Sequence, residues 1–293
     1  MTVIGIFGPT ASGKSRVSEA VAAQIPAELV SADAMQVYEG LPILTNQSPA
    51  RLVAIWPLAH EASVGAYAPL AHAAIDEILA AGRTPIVVGG TGLYFRAALG
   101  NLRLPPAPPP GARERWERLY DENREEAVRE LQRRDPRAAE IHPNDRRRIV
   151  RALELAELGA TLRPEDPELW RGEHRHPTLV VGLDVPKDVL ERRIEERTRA
   201  MFEQGVQDEV RSALLQPLST TARKTLGLDE VANLPAAEAE RAIVVRTRRY
   251  AAYQRKWMRR IPDIVIVAAD RPAEEVAGDI VDLARARERL PRR

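Results

Sequence analysis

Val3-Ile4-Gly5-Ile6-Phe7-Gly8-Pro9-Thr10-Ala11-Ser12-Gly13-Lys14-Ser15 runs from a short apolar segment straight into GxxxxGK[ST] without a mismatch. Val3–Phe7 reads as a buried strand. Lys14–Gln24 reads as a helix, because Val17, Ala20 and Val21 share one apolar face at i, i+3 and i+4. Strand, glycine loop and helix are the setting in which this motif grips a di- or triphosphate. Gly8 and Gly13 permit the tight turn that aims successive N–H groups at one anion. The helix N-terminus adds the positive end of its dipole. Gly8, Pro9, Thr10, Ala11, Ser12, Gly13, Lys14 and Ser15 are therefore the expected phosphate cradle. Lys14 brings a charge to the terminal phosphates and Ser15 a hydroxyl for Mg²⁺. The motif does not say what the phosphates are attached to.

The 293 residues are 44% apolar and 29% charged, an ordinary globular composition with room for two domains. No run of about 18 apolar residues suggests a membrane span. The chain enters a strand at once, so no signal peptide is expected. Cysteine is absent, which removes disulfides, thiolate metal sites and a cysteine nucleophile. The five histidines are scattered and make no metal-ligating pattern. These features point to a cytoplasmic protein, and nothing in them suggests a large apolar interface, so a monomer is expected. Net charge is only +1, so any nucleic-acid surface must be local.

Apolar runs recur at Val3–Phe7, Leu29–Ser31, Pro85–Val88, Thr178–Leu183 and Ile264–Val267, with helical stretches between them. That alternation predicts an α/β fold built on a parallel sheet, whose ligands bind beyond the carboxyl ends of the strands. Leu104–Pro110, Leu-Pro-Pro-Ala-Pro-Pro-Pro, reads as a stiff hinge. Charged helical patterns follow at Arg113–Tyr120, Glu125–Arg133 and Asp145–Leu158. The expected organisation is a P-loop α/β core over residues 1–103 and 178–293, with a helical insert at 104–177. The basic tail Arg285–Arg293 is expected to fray.

Asp33 follows the second strand. It is placed to act as a general base, to hold Mg²⁺ through water, or to cap a turn. Gly89-Gly90-Thr91-Gly92 follows the third strand, where Thr91 would cap the next helix or touch a phosphate. The helix starting near Pro186 carries Arg192, Arg193, Arg197 and Arg199 beside Glu191, Glu195 and Glu196. Most of these read as a solvated face, with Arg197 open as a phosphate ligand. Arg146-Arg147-Arg148-Ile149-Val150-Arg151 opens another helix, with Arg147 and Arg151 at i, i+4. Arg248, Arg249, Tyr250, Tyr253, Arg255, Lys256 and Trp257 interleave cations with aromatics. Such a helix either holds phosphates and stacks bases or anchors its aromatics in a core.

Read together, these blocks resemble the bacterial tRNA dimethylallyltransferases, the IPP transferase family. The likeness rests on Gly8–Ser15, on Ser31-Ala32-Asp33-Ala34-Met35-Gln36-Val37-Tyr38, and on Val88-Gly89-Gly90-Thr91-Gly92-Leu93-Tyr94. It continues through Ile141-His142-Pro143-Asn144-Asp145 with Arg151-Ala152-Leu153-Glu154, then Arg197–Met201, Gly205, Glu209-Val210 and Thr247-Arg248-Arg249-Tyr250. The resemblance implies a P-loop NTPase-like core that holds the diphosphate of dimethylallyl diphosphate with Mg²⁺, aided by Arg197. It implies transfer of the dimethylallyl group to the N6 amine of the adenosine 3′ of the anticodon, in tRNAs reading codons that begin with U. Asp33 is then the base, Thr91 lies near the transferred group, and Lys14 stabilises the leaving diphosphate. Asp33, Ala34, Met35, Gln36, Thr91, Arg113, Arg147, Arg148, Arg151 and Arg248 are the expected tRNA contacts, and the insert is the clamp on the anticodon stem-loop.

Several positions depart from the family pattern. Ala34 stands where a serine is usual, Pro42–Gln47 replaces a more charged segment, and Leu228 replaces a tyrosine. None touches Lys14, Ser15, Asp33 or Thr91, which predicts altered tRNA affinity rather than altered chemistry. The competing reading is an ATP-dependent P-loop kinase of a small molecule, for which the loop and Asp33 would serve equally. Transfer to free AMP would leave the insert without a role, and a guanine-nucleotide switch would need an Asn-Lys-x-Asp motif that the chain lacks.

Overall fold

Five parallel strands form one sheet in the order β2-β3-β1-β4-β5. They are β1 (Val3–Phe7), β2 (Ala27–Ser31), β3 (Thr84–Gly89), β4 (Thr178–Asp184) and β5 (Val265–Ala268). The computed structural model describes residues 2–102, 107–162 and 173–289. β1 to β4 contain the apolar runs that predicted them, and β5 starts one residue after its run, at Val265; a parallel sheet covered on both faces buries nearly every residue of its central strands. In β1 the pleat sends Val3 and Phe7 to one core and Ile4 and Ile6 to the other. Gly5 points at the first core, where a Cβ would lie 2.8 Å from the Phe95 ring.

The helices are α1 (Lys14–Gln24), α2 (Val64–Ala80), α3 (Gly92–Leu99), α4 (Ala112–Glu122), α5 (Arg124–Arg134), α6 (Arg146–Glu157) and α7 (Lys187–Glu203). They continue with α8 (Val206–Ala213), α9 (Thr220–Arg223), α10 (Leu228–Asn233), α11 (Ala236–Met258) and α12 (Ala273–Arg289). α1 buries Val17 and Val21, each worth about 1.5–3 kcal/mol of transfer free energy. Helical conformation stops at Ile25, which precedes Pro26 and is extended as such residues prefer. α2 begins at Ser63, whose hydroxyl accepts the Ala66 N–H at 3.2 Å. The tail expected to fray is helical as far as Arg289. Its last residues, 290–293, lie outside the described residues.

The chain divides into two compact units, Met1–Asn101 with Gly172–Arg293, and Leu102–Arg171. The division differs from the 104–177 insert read from the sequence. Residues 173–177 belong with the sheet, because Pro177 accepts the Val3 N–H and Arg175 and His176 both bind Asp76 of α2. Much of the proline hinge, residues 104–106, lies outside the described residues. Within the second unit, α4, α5 and α6 pack around Trp116, Tyr120, Leu131, Ile149 and Leu153. Asn123 and Asp145 cap α5 and α6 by accepting the Glu126 and Arg148 N–H groups. Glu154 is fully buried there between Arg113 and Arg151, each at 2.8 Å. Among the described residues no helix is long and apolar enough to cross a membrane.

Candidate active site

Register brings three loops to one edge of the sheet. Phe7 pairs with Gly89 and Ser31 with Val88, so the chain segments following β1, β2 and β3 emerge together. Their backbones are packed too tightly for larger residues. A Cβ on Gly89 would lie 2.2 Å from the Ala32 carbonyl oxygen, and the Gly8 N–H donates to Gly89 O.

The loop after β1 has the expected cradle form. Gly13 takes φ +90°, and Ala11 takes φ +62° without being glycine. Lys14, Ser15 and Arg16 open α1, so their N–H groups have no carbonyl one turn back to bond to. Lys14 Nζ donates to Pro9 O at 2.8 Å and so lies folded over its own loop. The Ser12 hydroxyl is buried without a hydrogen-bond partner, in an interior where such groups are nearly always bonded. Thr10 plays a different part from the one expected. Its N–H donates at 2.7 Å to Gln254 Oε1 rather than standing free for an anion.

Charges converge on this loop. Burial of its ammonium pushes Lys14 down to about 8, with Asp33 opposing that shift and Arg197 adding to it. Burial also pulls the Arg197 guanidinium below its ordinary value, against the attraction of Asp33. Arg197 Nε is a buried donor with no partner. The rest of the arginine series on α7 follows the solvated reading, with Arg192 paired to Glu196 and Lys187 to Glu191. Burial raises Tyr67 and Tyr250, and the charge of Asp33 adds to both. Asp33 is thus the anion shared by Lys14, Arg197, Tyr67 and Tyr250.

Asp33 also caps a turn, with Oδ1 accepting the Met35 N–H at 2.9 Å. Its second oxygen makes no hydrogen bond among the described residues. Thr91 stands at the N-cap position of α3 but makes no capping bond. Its hydroxyl instead accepts the Ala34 N–H at 3.2 Å and lies 3.4 Å from the Tyr250 hydroxyl. Ala34 and Met35 are partly buried. The Gln36 side chain is engaged internally, accepting from Ser31 and donating to the carbonyls of Thr45 and Asn46. The segment Pro42–Gln47 is held by Glu209. Its carboxylate accepts the Ile43 and Leu44 N–H groups at 2.7 and 2.8 Å.

Helix α11 packs on the loop after β3 through Tyr250 and Trp257. Trp257 covers Gly92, where a Cβ would lie 2.1 Å from the ring. Tyr253 remains exposed and meets Trp257 edge-on. Arg248 pairs with Glu195, while its Nε is buried without a partner. Gln254 was missed in the sequence, where the one signal was a polar residue on the face shared by Tyr250 and Trp257. In the second unit Arg147 and Arg148 are exposed. Arg113 and Arg151 hold Glu154, and Arg146 binds Asp121 through two nitrogens at 2.6 and 2.7 Å.

A glycine loop between a central parallel strand and a helix, with lysine and arginine over it and a carboxylate beside it, defines a P-loop protein of the NTPase-like fold. The IPP transferase family matches residues 36–261, and the chain belongs to that family. It is 39% identical to the tRNA dimethylallyltransferase of Thermobifida fusca, over 97% of this chain and 93% of that one. It is 40% identical to tRNA dimethylallyltransferase 2 of Mycobacterium marinum, over 89% and 90%. Among solved structures it is similar to the tRNA isopentenylpyrophosphate transferase of Bacillus halodurans (28% identity, TM-score 0.71, 98% of this chain and 97% of that one). It is also similar to a eukaryotic dimethylallyltransferase acting on tRNA (25% identity, TM-score 0.80, 100% and 81%).

Proposed function

We infer that this protein transfers the dimethylallyl group of dimethylallyl diphosphate to the N6 amine of the adenosine 3′ of the anticodon, in tRNAs reading codons that begin with U. The observation that carries the reading is the convergence of Lys14, Arg197 and Asp33 on a phosphate loop in a chain of this family. The N6 nitrogen attacks C1 of the allyl group. The bond from C1 to the diphosphate oxygen breaks, and its electron pair leaves with the diphosphate. Lys14, Arg197 and the N–H groups that open α1 take up the charge that develops there. The proton shed by the amine passes to the free oxygen of Asp33. Thr91, held by Ala34, lies beside that oxygen's turn and orients the base. The adenosine must leave its stack to reach the site.

Among the described residues no three His, Asp or Glu side chains converge as a metal site. The available donors are the Ser15 hydroxyl, Asp33 through water, and the diphosphate itself. This all-oxygen set fits Mg²⁺, which keeps its waters and binds chiefly through substrate phosphates. When bound, Mg²⁺ neutralises charge on the leaving diphosphate. The helical unit is the proposed holder of the anticodon stem-loop, with Arg113, Arg147, Arg148 and Arg151, joined by Arg248 from α11. We place the enzyme in the cytoplasm as a monomer. The small-molecule kinase reading is not favoured, since the relatives described above are named tRNA dimethylallyltransferases.

The test is transfer itself. Unmodified tRNA, dimethylallyl diphosphate, Mg²⁺ and protein are incubated, and the digested nucleosides are weighed by mass spectrometry. The expected product is adenosine heavier by one dimethylallyl group. Lys14→Ala should lower its formation by about 100-fold or more. Asp33→Asn keeps the acceptor for Met35 and loses the base, so turnover should fall about 100-fold with tRNA affinity retained. Phosphorylation of a small acceptor at the expense of ATP, without prenylated adenosine, would remove the reading.

A further inference from the structure

Gln254 joins the two loops that the reaction needs side by side. It is buried on α11. Its Oε1 accepts the Thr10 N–H at 2.7 Å, and its Nε2 donates to Gly90 O at 3.0 Å. The orientation of the amide is fixed by its partners, since one is a donor and the other an acceptor. A Cβ on Gly90 would lie 2.2 Å from Gln254 Nε2, so the contact is close on that side. One turn earlier Tyr250 reaches Thr91, and three residues later Trp257 covers Gly92.

Both ends of the Gln254 amide bind protein, whereas Ser12 Oγ and Arg197 Nε nearby have no partners. That contrast separates a support from the groups that face a ligand. The support has something to hold. Ala11 sits in the left-handed region at φ +62°, a conformation that L-residues other than glycine rarely adopt. Gln254 fixes the residue immediately before it.

We propose that Gln254 is a positioning residue that sets the separation between the phosphate loop and the Thr91 loop, and so between leaving group and attacking amine. The proposal rests on the transfer reading given above. It acts through Thr10 and Gly90, neither of which has a flexible side chain at the contact. A misplacement of about 1 Å between reacting groups is enough to cost about 100-fold in rate.

The experiment compares wild type, Gln254→Ala and Gln254→Glu by steady-state kinetics from pH 6 to pH 9, by calorimetric titration with inorganic diphosphate, and by thermal unfolding. In Gln254→Ala, kcat should fall about 10- to 100-fold while KM for tRNA stays within about twofold. Affinity for inorganic diphosphate should weaken about tenfold, because the cradle is no longer held in shape. The Gln254→Glu variant carries the discriminating signature. At high pH its carboxylate still accepts from Thr10 but repels the Gly90 carbonyl, so it should resemble the alanine variant. At low pH the introduced acid, its pKa raised by burial, donates to Gly90. Activity relative to wild type should then recover as pH falls. A purely structural role would produce a loss that follows the melting temperature and ignores pH, and that result overturns the proposal. Wild-type kcat and diphosphate affinity in both variants also overturn it. Diphosphate binding that depends on Gln254, in a protein that prenylates no tRNA, would sink the transfer reading and leave the support role standing.

Discussion

Lys14 carries its positive charge in a place that disfavours it. Burial lowers the group from 10.5 to about 8. In the free protein the charged form is therefore a cost below pH 8, relieved as pH rises from about 8 to 10.5, so the folded state should gain stability over that window. A bound diphosphate supplies the missing counter-charge and restores the proton. Above pH 8 binding must take up that proton, and affinity for inorganic diphosphate should fall by up to about tenfold per pH unit. Calorimetry in two buffers of different ionisation heat measures the uptake, and Lys14→Met should bind weakly and keep only the dependence that the ligand's own ionisation gives. Wild type and Lys14→Met sharing one pH profile of affinity from pH 7 to 9.5 would show that Lys14 does not titrate there. The placement of Gly8, Gly13, Lys14, Ser15 and Asp33 beside one loop was legible because each lies within a few residues of the motif or strand end that explains it. Gln254 was not, because its two partners sit near residues 10 and 90 and only the fold brings them to α11.

At the level of elements, every strand could be located from its apolar run, most plainly the central β1 and β4, which are buried on both faces and have little room for polar residues. The sequence leaves α11 open between holding phosphates with stacked bases and anchoring its aromatics in a core, and the structure divides the helix by face. Tyr250, Gln254 and Trp257 face the loops, whereas Arg249, Tyr253 and Lys256 are exposed. Periodicity marks such faces only when polar and apolar residues segregate, and a buried glutamine breaks that rule. The packing of α11 on the loop after β3 gives a test. Gly92→Ala puts a methyl 2.1 Å from the Trp257 ring, an overlap that should cost about 1–3 kcal/mol. The melting temperature should drop by several degrees, and turnover should fall more than the remaining folded fraction explains. A variant with wild-type melting and turnover would mean that α11 tolerates displacement and has no part in shaping the site.

At the scale of the whole molecule, near-neutral net charge obliges any RNA surface to be assembled from particular arginines, and the structure sorts them. Arg147 is exposed with no ion pair among the described residues, while Arg151 holds the buried Glu154. Arg147→Ala should leave melting unchanged, weaken tRNA binding and reduce the slope of log affinity against log salt by about one. Arg151→Ala should also destabilise the helical unit, by about 1–3 kcal/mol, because among the described residues Glu154 then keeps Arg113 alone as its ion-pair partner. An unaltered salt slope in Arg147→Ala would return that arginine to plain surface. The pairing of β1 with β4 has a consequence at birth. Ile6 and Val181 are partners, yet the helical unit is translated between them. At about 5–20 residues per second, roughly 10–35 s pass before β4 reaches the strand it completes. A nascent chain that pairs β1, β2 and β3 within that interval would hold β1 as an open, wholly apolar edge. Folding-helper proteins on the ribosome would therefore find their main task in shielding β1, and an arrested chain ending inside the helical unit would be the species most prone to clump.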